Sequence, residues 1–488
     1  MRLADPGARH SVRGEQVQNG QPLSLPSRIH LVGIGGSGLS AIARVLAMRG
    51  HQISGSDLRH SPILDDLAAL GIAIHVGHAP ENLGDAQMVL VSSAIPPDNP
   101  EIQEARRRGI PLLKRREVMV RLMAGQVGVA VAGTHGKTTT TAMIAFILQR
   151  MGLDPSFIVG GMAPQLGGNA HAGKGGHFII EADEYDRMFH GLWPQVAVVT
   201  HLEMDHPDCY ADMAAMRTAF EVFMDHVPKD GMIIANADSP QMVHLLAARH
   251  GRLPRPVTYG LAAAADYRIQ GCHPNAAGGI DFVVSTRQGE WGRFATAVPG
   301  IHNALNAAAA LLAAERCGVD RRHAGEALAA FGGVMRRFEV KGECDGVLVI
   351  DDYAHHPTEV QATLAAARLR YPARRLWVVF QPHTYSRTQT LLDEFARCFA
   401  AADSLVVLDI FAARPGERPT IHARDLAAAI RQSGSSPSLV QYLPTVEEAT
   451  AYLVRVLSGG DVLLTLGAGD GYLVGEGVLA RLRRRGAR

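Results

Sequence analysis

The chain has 488 residues, 47% of them hydrophobic and 19% charged, with a formal net charge of +1. That length suits about three domains of ordinary globular composition, and the near-neutral charge, with no basic stripe among aromatics, argues against a nucleic-acid binder. No uncharged apolar run reaches the ~20 residues of a membrane span, and five scattered cysteines without a C-x-x-C pair point to a reducing cytoplasm with no disulfide frame and no zinc site.

Residues 1–27 are polar and lack an apolar core, so they are expected to be a disordered tail and not a signal peptide. A first domain, residues 28–125, opens with a strand over Ile29–Ile34, the loop Gly35-Gly36-Ser37-Gly38 and a helix over Leu39–Met48. Gly33, Gly35 and Gly38 satisfy G-x-G-x-x-G between strand and helix, where backbone N–H groups and a helix N-terminus hold a diphosphate. The next strand ends at Asp57, the place for an acidic ribose contact. Further strands at Ile72–Val76 and Met88–Val91 and a helix near Glu101–Arg108 make this unit Rossmann-like and doubly wound. A nicotinamide dinucleotide and a UDP-sugar both suit such a loop, and the motif alone favours the dinucleotide.

A second domain, residues 126–335, begins on an apolar strand carrying Val127, Val129, Ala130 and Val131. It runs into Gly133-Thr134-His135-Gly136-Lys137-Thr138-Thr139 and then a helix with Met143, Phe146 and Ile147 at helical spacing. A glycine turn between a buried strand and a helix presents N–H groups to an anion. Lys137 would reach the outer phosphates and the Thr138 hydroxyl would face Mg²⁺. Val131 stands where the first glycine of the full phosphate-loop pattern belongs, so this is the shorter G-T-x-G-K-T form. The chain has only five lysines and one lies in this turn, which is read as the ATP site. Strands over Phe178–Ile180 and Val196–Thr200 end in acidic loops holding Glu181, Glu184, Glu203 and His206. Carboxylates at the carboxyl edge of a parallel sheet suit Mg²⁺, with Glu181 and His206 as candidates. Asn303 and Asn306 share a face of the first turn of an alanine-rich helix, where they either cap it or reach a base. Arg336 and Arg337 at the domain exit are either surface charge or a clamp on a transferring phosphoryl group.

A third domain, residues 336–488, starts with the strand Val347–Ile350 and the loop Asp351-Asp352-Tyr353-Ala354-His355-His356-Pro357. The strand Leu376–Phe380 then leads into Gln381-Pro382-His383-Thr384-Tyr385-Ser386-Arg387, and strands at Ser404–Asp409 and Asp461–Leu466 follow. Polar clusters directly after parallel strands are binding loops, and three histidines fall in two of them.

Taken in order, Gly33–Gly38, Gly133–Thr139, Glu181–Glu184, Glu203–His206, His302–Asn306, Arg336–Phe338, Asp351–Thr358 and Gln381–Thr388 resemble the motifs of the Mur ligase family of peptidoglycan biosynthesis. The resemblance spans nearly everything from Arg28 onward and is strongest to the branch that joins L-alanine to UDP-N-acetylmuramate. It implies an α/β protein of three domains: an N-terminal Rossmann-like UDP-binding domain, a central P-loop ATPase-like domain and a C-terminal Rossmann-like domain. It implies a cytoplasmic ligase using ATP and Mg²⁺, with Lys137, Glu181, His206 and Arg337 carrying the chemistry. By the same likeness Gly133, Thr134, His135, Gly136, Lys137, Thr138 and Thr139 cradle ATP. Asn303 and Asn306 meet adenine, Asp352 the ribose and Arg337 the γ-phosphate. Thr138 and Glu181 resemble Mg²⁺ contacts, and His206 the histidine at a second Mg²⁺. Gly33, Gly35, Gly36, Ser37, Gly38 and Asp57 would hold UDP-N-acetylmuramate, and Tyr353, His355, His356, His383 and Arg387 the amino acid.

Three departures stand out. Tyr185-Asp186-Arg187 follows Glu184 where alanine ligases have Ser-Asp, His201 replaces a common asparagine, and no lysine lies between His206 and Lys229 to match the carbamylated lysine of several relatives. The Glu-Tyr-Asp run makes a ligase recycling murein tripeptide the alternative within the family. A nucleotide-gated binding module without ligase activity is the alternative outside it, against which the whole third domain argues.

Overall fold

A computed structural model describes residues 24–249, 251, 253–413, 419–434 and 437–486. Residues 1–23 of the expected tail lie outside the described residues. The described chain forms three separate sheets.

The first sheet is parallel throughout, in the order Ala73–Val76, Gln52–Asp57, Arg28–Val32, Met88–Val91, Leu112–Lys114. The helix Ser37–Met48 buries Leu39, Ile42, Val45 and Leu46 against it, the stripe expected of an amphipathic helix. The glycine loop therefore lies at the carboxyl edge of the central strand, where doubly wound sheets bind ligands.

The second sheet has ten strands, with Val127–Ala132 near its middle between Val196–Val199 and His177–Glu181. Alternate residues of that strand enter different cores: Val129 and Val131 on one face, Ala130 and Ala132 on the other. The following helix, Lys137–Arg150, is buried at every position from Thr138 to Leu148. It lies between the sheet and the helix Ile301–Arg316, whose alanines allow close approach. The sequence reading did not assign the antiparallel strands Tyr267–Pro274, Ile280–Thr286 and Gly289–Thr296 that extend this sheet. Their signal was present, since Ile280, Phe282 and Val284 alternate inward with period two.

The third sheet runs Glu339–Cys344, Val347–Asp352, Val462–Leu466, Leu376–Phe380, Ser404–Val407, Leu439–Tyr442, with only the first strand antiparallel. Its binding loops meet those of the second sheet, as the pairs His135–Glu359, Glu203–Thr358 and Asp205–Arg387 record. Among the described residues no helix is long and apolar enough to cross a membrane.

Candidate active site

The phosphate loop closes on Gly136, whose φ of +76° and closeness to Asn306 leave no room for a side chain: a Cβ would lie 2.4 Å from Asn306 Oδ1. Lys137 begins the helix and folds back over the loop. Its Nζ donates to the carbonyls of Gly133 at 2.6 Å and Thr134 at 3.3 Å, and to Glu184 Oε1 at 2.9 Å. Burial opposes its charge, but Glu184 and Glu181 outweigh burial and hold the ammonium above the usual lysine range. Thr138 Oγ1 donates to Glu181 Oε1 at 3.1 Å, and the Gly160 N–H donates to Glu181 Oε2 at 2.6 Å. Burial raises the Glu181 carboxyl above its ordinary range.

Beside Lys137, Glu184, Asp205 and His206 converge with ligand atoms within 4.8 Å of one another. Glu184 Oε2 and His206 Nδ1 are buried and have no hydrogen-bond partner among the described residues. Buried polar atoms of this kind are explained by an ion or a ligand. Carboxylate oxygens, here those of Glu184 and Asp205 and separately that of Glu181 beside the Thr138 hydroxyl, fit a divalent cation such as Mg²⁺. Thr138 and Glu181 thus form one group and His206 joins another with Glu184 and Asp205, Lys137 lying between them. Tyr185, one of the departures, places its ring edge-on to His206, with centroids 5.3 Å apart.

A cavity of about 290 Å³ opens beyond the loop, lined by Thr139, Asn236, Asn303, Asn306, Arg337 and Asp352 among others. Asn303 and Asn306 do not cap their helix, because Gly300 is the N-cap and no side chain bonds there. Instead Asn306 Nδ2 donates to Asn303 Oδ1 at 3.1 Å, and Asn303 Nδ2 to the Pro299 carbonyl at 2.7 Å. The arginine pair divides. Arg336 is held by Asp351 at 2.9 Å and the Gly467 carbonyl at 2.7 Å, while Arg337 lines the cavity with its guanidinium 5.1 Å from the Tyr353 ring centroid. Asp352 accepts the N–H groups of Phe338 at 2.7 Å and Ala354 at 2.8 Å, and burial pushes its carboxyl up to about 6. Each of its oxygens keeps a second lone pair for a hydroxyl.

Across the cleft, Arg387 is 2% exposed and bonds Asp205 Oδ1 through Nε at 3.0 Å and a terminal nitrogen at 2.8 Å. Its other terminal nitrogen faces His383 Nδ1 at 3.0 Å. Burial opposes the Asp205 charge, but Arg387 and His206 keep that carboxyl well below its usual range. His355 Nδ1 faces the Tyr353 carbonyl at 2.9 Å and its ring stands edge-on to His383, while burial holds it well below the usual histidine range. His135 bonds Glu203 through Nε2 and faces Glu359 Oε1 through Nδ1 at 3.1 Å. Burial works against its charge, yet Glu359 and Glu203 raise it to about 10, so it is an imidazolium. His201, another departure, stacks on His135 with centroids 5.9 Å apart and is lowered by burial and by that neighbouring charge. The roles of Glu184, Glu203 and Glu359 went unassigned in the sequence reading. Glu359 has the form of an ordinary capping-box glutamate and does serve as one for His356; its contact with His135 exists only in the fold.

In the first domain the Gly35 N–H donates to Asp57 Oδ2 at 2.9 Å, so Asp57 braces the glycine loop. At Gly38 a Cβ would lie 2.2 Å from the Arg115 guanidinium, so a larger residue there would push that side chain aside. Arg115 in turn pairs with Asp183 at 2.9 Å, joining the glycine loop to the acidic loop that carries Glu181 and Glu184. Arg115 opens a helix in the run Lys114-Arg115-Arg116, a basic signal that the sequence reading passed over.

Comparison with known proteins gives the chain its relatives. Sequence models described as the Mur ligase family catalytic domain, the Mur ligase middle domain and the Mur ligase glutamate ligase domain match residues 28–127, 131–314 and 336–469. The chain is 46% identical to a UDP-N-acetylmuramate–L-alanine ligase from Solibacter usitatus, over 94% of this chain and 96% of that one. It is likewise 46% identical to one from Kineococcus radiotolerans, over 94% and 97%. The solved UDP-N-acetylmuramate-alanine ligase of Thermotoga maritima superposes with a TM-score of 0.79 at 28% identity, covering 94% of this chain and 99% of its own. With three consecutive domain matches, and relatives this similar along almost its whole length, the chain belongs to the Mur ligase family.

Proposed function

We propose that this protein is an ATP-dependent ligase that joins L-alanine to the carboxylate of UDP-N-acetylmuramate, giving ADP and phosphate, in the building of peptidoglycan precursors. The observation that carries the reading is the set of cations and carboxylates between the phosphate loop and the third domain: Lys137 on Glu184, Arg337 at the cavity wall, and Glu181 with Thr138. Relatives sharing 46% of the sequence bear that activity in their names.

A carboxylate is a poor acyl donor until one of its oxygens carries phosphate. Lys137 and Arg337 neutralise charge as the γ-phosphoryl passes to that oxygen. Bound Mg²⁺ would supply further charge neutralisation at the phosphates, held by Thr138 and Glu181, with Glu184 and His206 able to hold a second ion. The glycine loop Gly33–Gly38, braced by Asp57, would position the UDP moiety. The amine of alanine, with a free pKa of ~8, must lose a proton before it attacks the acyl phosphate. His355 is oriented for that step, with Nδ1 carrying its hydrogen toward the Tyr353 carbonyl and the Nε2 lone pair left open. Burial disfavours its charged form, however, so the negative charge of the bound phosphates must raise its pKa before it takes the proton. Contacts such as Arg387–Asp205 and His135–Glu359 close the cleft and keep water from the acyl phosphate.

Phosphate release with UDP-N-acetylmuramate and ATP, compared across L-alanine, L-serine, glycine and murein tripeptide, tests this reading. L-Alanine should give the highest kcat/KM. A higher value with the tripeptide, or release that does not depend on any amine, would contradict it.

A further inference from the structure

A second group of donors, apart from those around Glu181 and Glu184, is assembled where the central and third domains meet. His135 Nε2, Glu203 Oε1 and His356 lie with their ligand atoms within 4.8 Å of one another. Cysteine spacing gave no sign of a zinc site; this imidazole set exists only because the fold brings residues 135, 203 and 356 together.

Each of the three side chains has its far atom already anchored. His135 Nδ1 faces Glu359 Oε1 at 3.1 Å, His356 Nε2 faces the Met204 carbonyl at 3.3 Å, and Glu203 Oε2 accepts from Thr358 Oγ1 at 3.1 Å. Metal-bound histidines commonly hand their second N–H to a carboxylate or a carbonyl in this way. The Met204 carbonyl can only accept, so His356 Nε2 carries the hydrogen and Nδ1 is a bare lone pair. The same Nδ1 accepts the Thr358 N–H at 3.3 Å, which agrees with that tautomer, and an ion bound at Nδ1 would displace this long cap bond. Yet Nδ1 lies 3.2 Å from Glu203 Oε1, itself an acceptor. Two acceptors so placed repel each other unless a cation lies near both; in this structure Glu203 Oε1 is bonded to His135 Nε2, and His356 Nδ1 has only the Thr358 N–H.

We propose that His135, Glu203 and His356 form a binding site for a transition-metal ion of the zinc class, and that the bound ion staples the central domain to the third. Two imidazoles and one carboxylate are a donor set for Zn²⁺, unlike the all-oxygen surroundings that suit Mg²⁺. On binding, the Nε2 proton of His135 leaves to solvent and its lone pair goes to the metal, so one proton is released per ion. Since His135 belongs to the phosphate loop, the loaded site pins that loop and holds the cleft shut. Zn²⁺ would therefore inhibit turnover at concentrations far below those of Mg²⁺. The site stands independently of which amine the enzyme uses.

The test is a titration of the full-length, nucleotide-free protein with Zn²⁺ or Co²⁺ alone, in a weakly chelating buffer. Co²⁺ should give the intense absorption of a four- or five-coordinate site with nitrogen ligands, and Zn²⁺ should displace it with release of about one proton. Glu203→Gln and His356→Gln should each weaken binding more than about a hundredfold, and Thr358→Val about tenfold. Glu184→Gln should leave this binding unchanged. A weak octahedral Co²⁺ spectrum in the unmutated protein would overturn the proposal whatever the variants do. So would affinity that survives Glu203→Gln and His356→Gln in proteins whose circular dichroism shows them folded, or affinity lost only in Glu184→Gln.

Discussion

Glu101 and Glu203 are both surrounded by histidines, and the protein uses them in opposite ways. Glu101 has no exposed surface and accepts from Ser56 Oγ at 2.6 Å and Asn82 Nδ2 at 2.5 Å, with His78 Nδ1 at 3.4 Å and His30 Nε2 at 3.7 Å. All of these partners belong to the first domain. Glu203 instead gathers His135 from the phosphate loop and Thr358 and His356 from the third domain. In both cases burial works against the charge, and histidines among other partners hold the carboxyl at about 2. The electrostatics are alike; the connectivity differs. A network closed within one domain adds to that domain's stability. A network spread over the cleft instead ties the central domain to the third beside the candidate site.

Substitutions can break this contrast. The largest effect is expected in the cleft, where Lys137→Ala should lower ATP turnover by more than about a thousandfold. Binding of the UDP-sugar, measured by calorimetry, should stay near the unmutated value because the glycine loop lies on another domain. Equal loss of both would mean one shared site.

Next in size is Glu101→Gln. The folded pKa of Glu101, about 2, lies below its ordinary value of 4.5, so its contribution is present above pH 4.5 and is lost as pH falls toward 2. At pH 7 the substitution should cost up to about 3 kcal/mol in urea unfolding, and the gap to the unmutated protein should close between pH 4.5 and 2. Turnover of the folded variant should be unaltered; a large fall in kcat would place Glu101 in the working site and dissolve the contrast.

A smaller change is expected from Glu181→Gln. Its oxygens engage Thr138 and the Gly160 N–H, so the amide should keep the local fold and weaken the metal site. Half-maximal activity should move to about tenfold higher Mg²⁺. An unchanged metal profile would make Glu181 a structural brace for the Thr138 turn.

The same contrast explains what could be read from the chain beforehand. Motifs made of consecutive residues after a strand were legible, because glycine turns, capping residues and apolar runs have local causes: Gly133–Thr139 and Asp351–Pro357 are the clearest. Asn303 and Asn306 were placed on one helix face, but the choice between cap and cavity needed the positions of Gly136 and Gly300. Glu359 and Arg115 look like an ordinary first-turn acid and a surface base, and only the meeting of domains gives them His135 and Asp183 as partners. Arg387, expected at the amino acid, is bonded to Asp205 and His383. The strands from Tyr267 to Thr296, where Ile280, Phe282 and Val284 alternate with period two, carry no glycine motif or polar loop cluster to mark them as part of the site-bearing sheet.

The proposed reaction activates a carboxylate with phosphate, Lys137 and Arg337 serving the outer phosphates. UDP-N-acetylmuramate carrying ¹⁸O in that carboxylate, turned over with ATP and L-alanine, measures this directly by mass spectrometry of the products. One label per turnover should appear in inorganic phosphate, because a carboxylate oxygen leaves with the phosphoryl group when the amine attacks. Label in AMP with release of pyrophosphate, or unlabelled phosphate beside the amide product, would contradict the acyl phosphate and the roles of Lys137 and Arg337 with it.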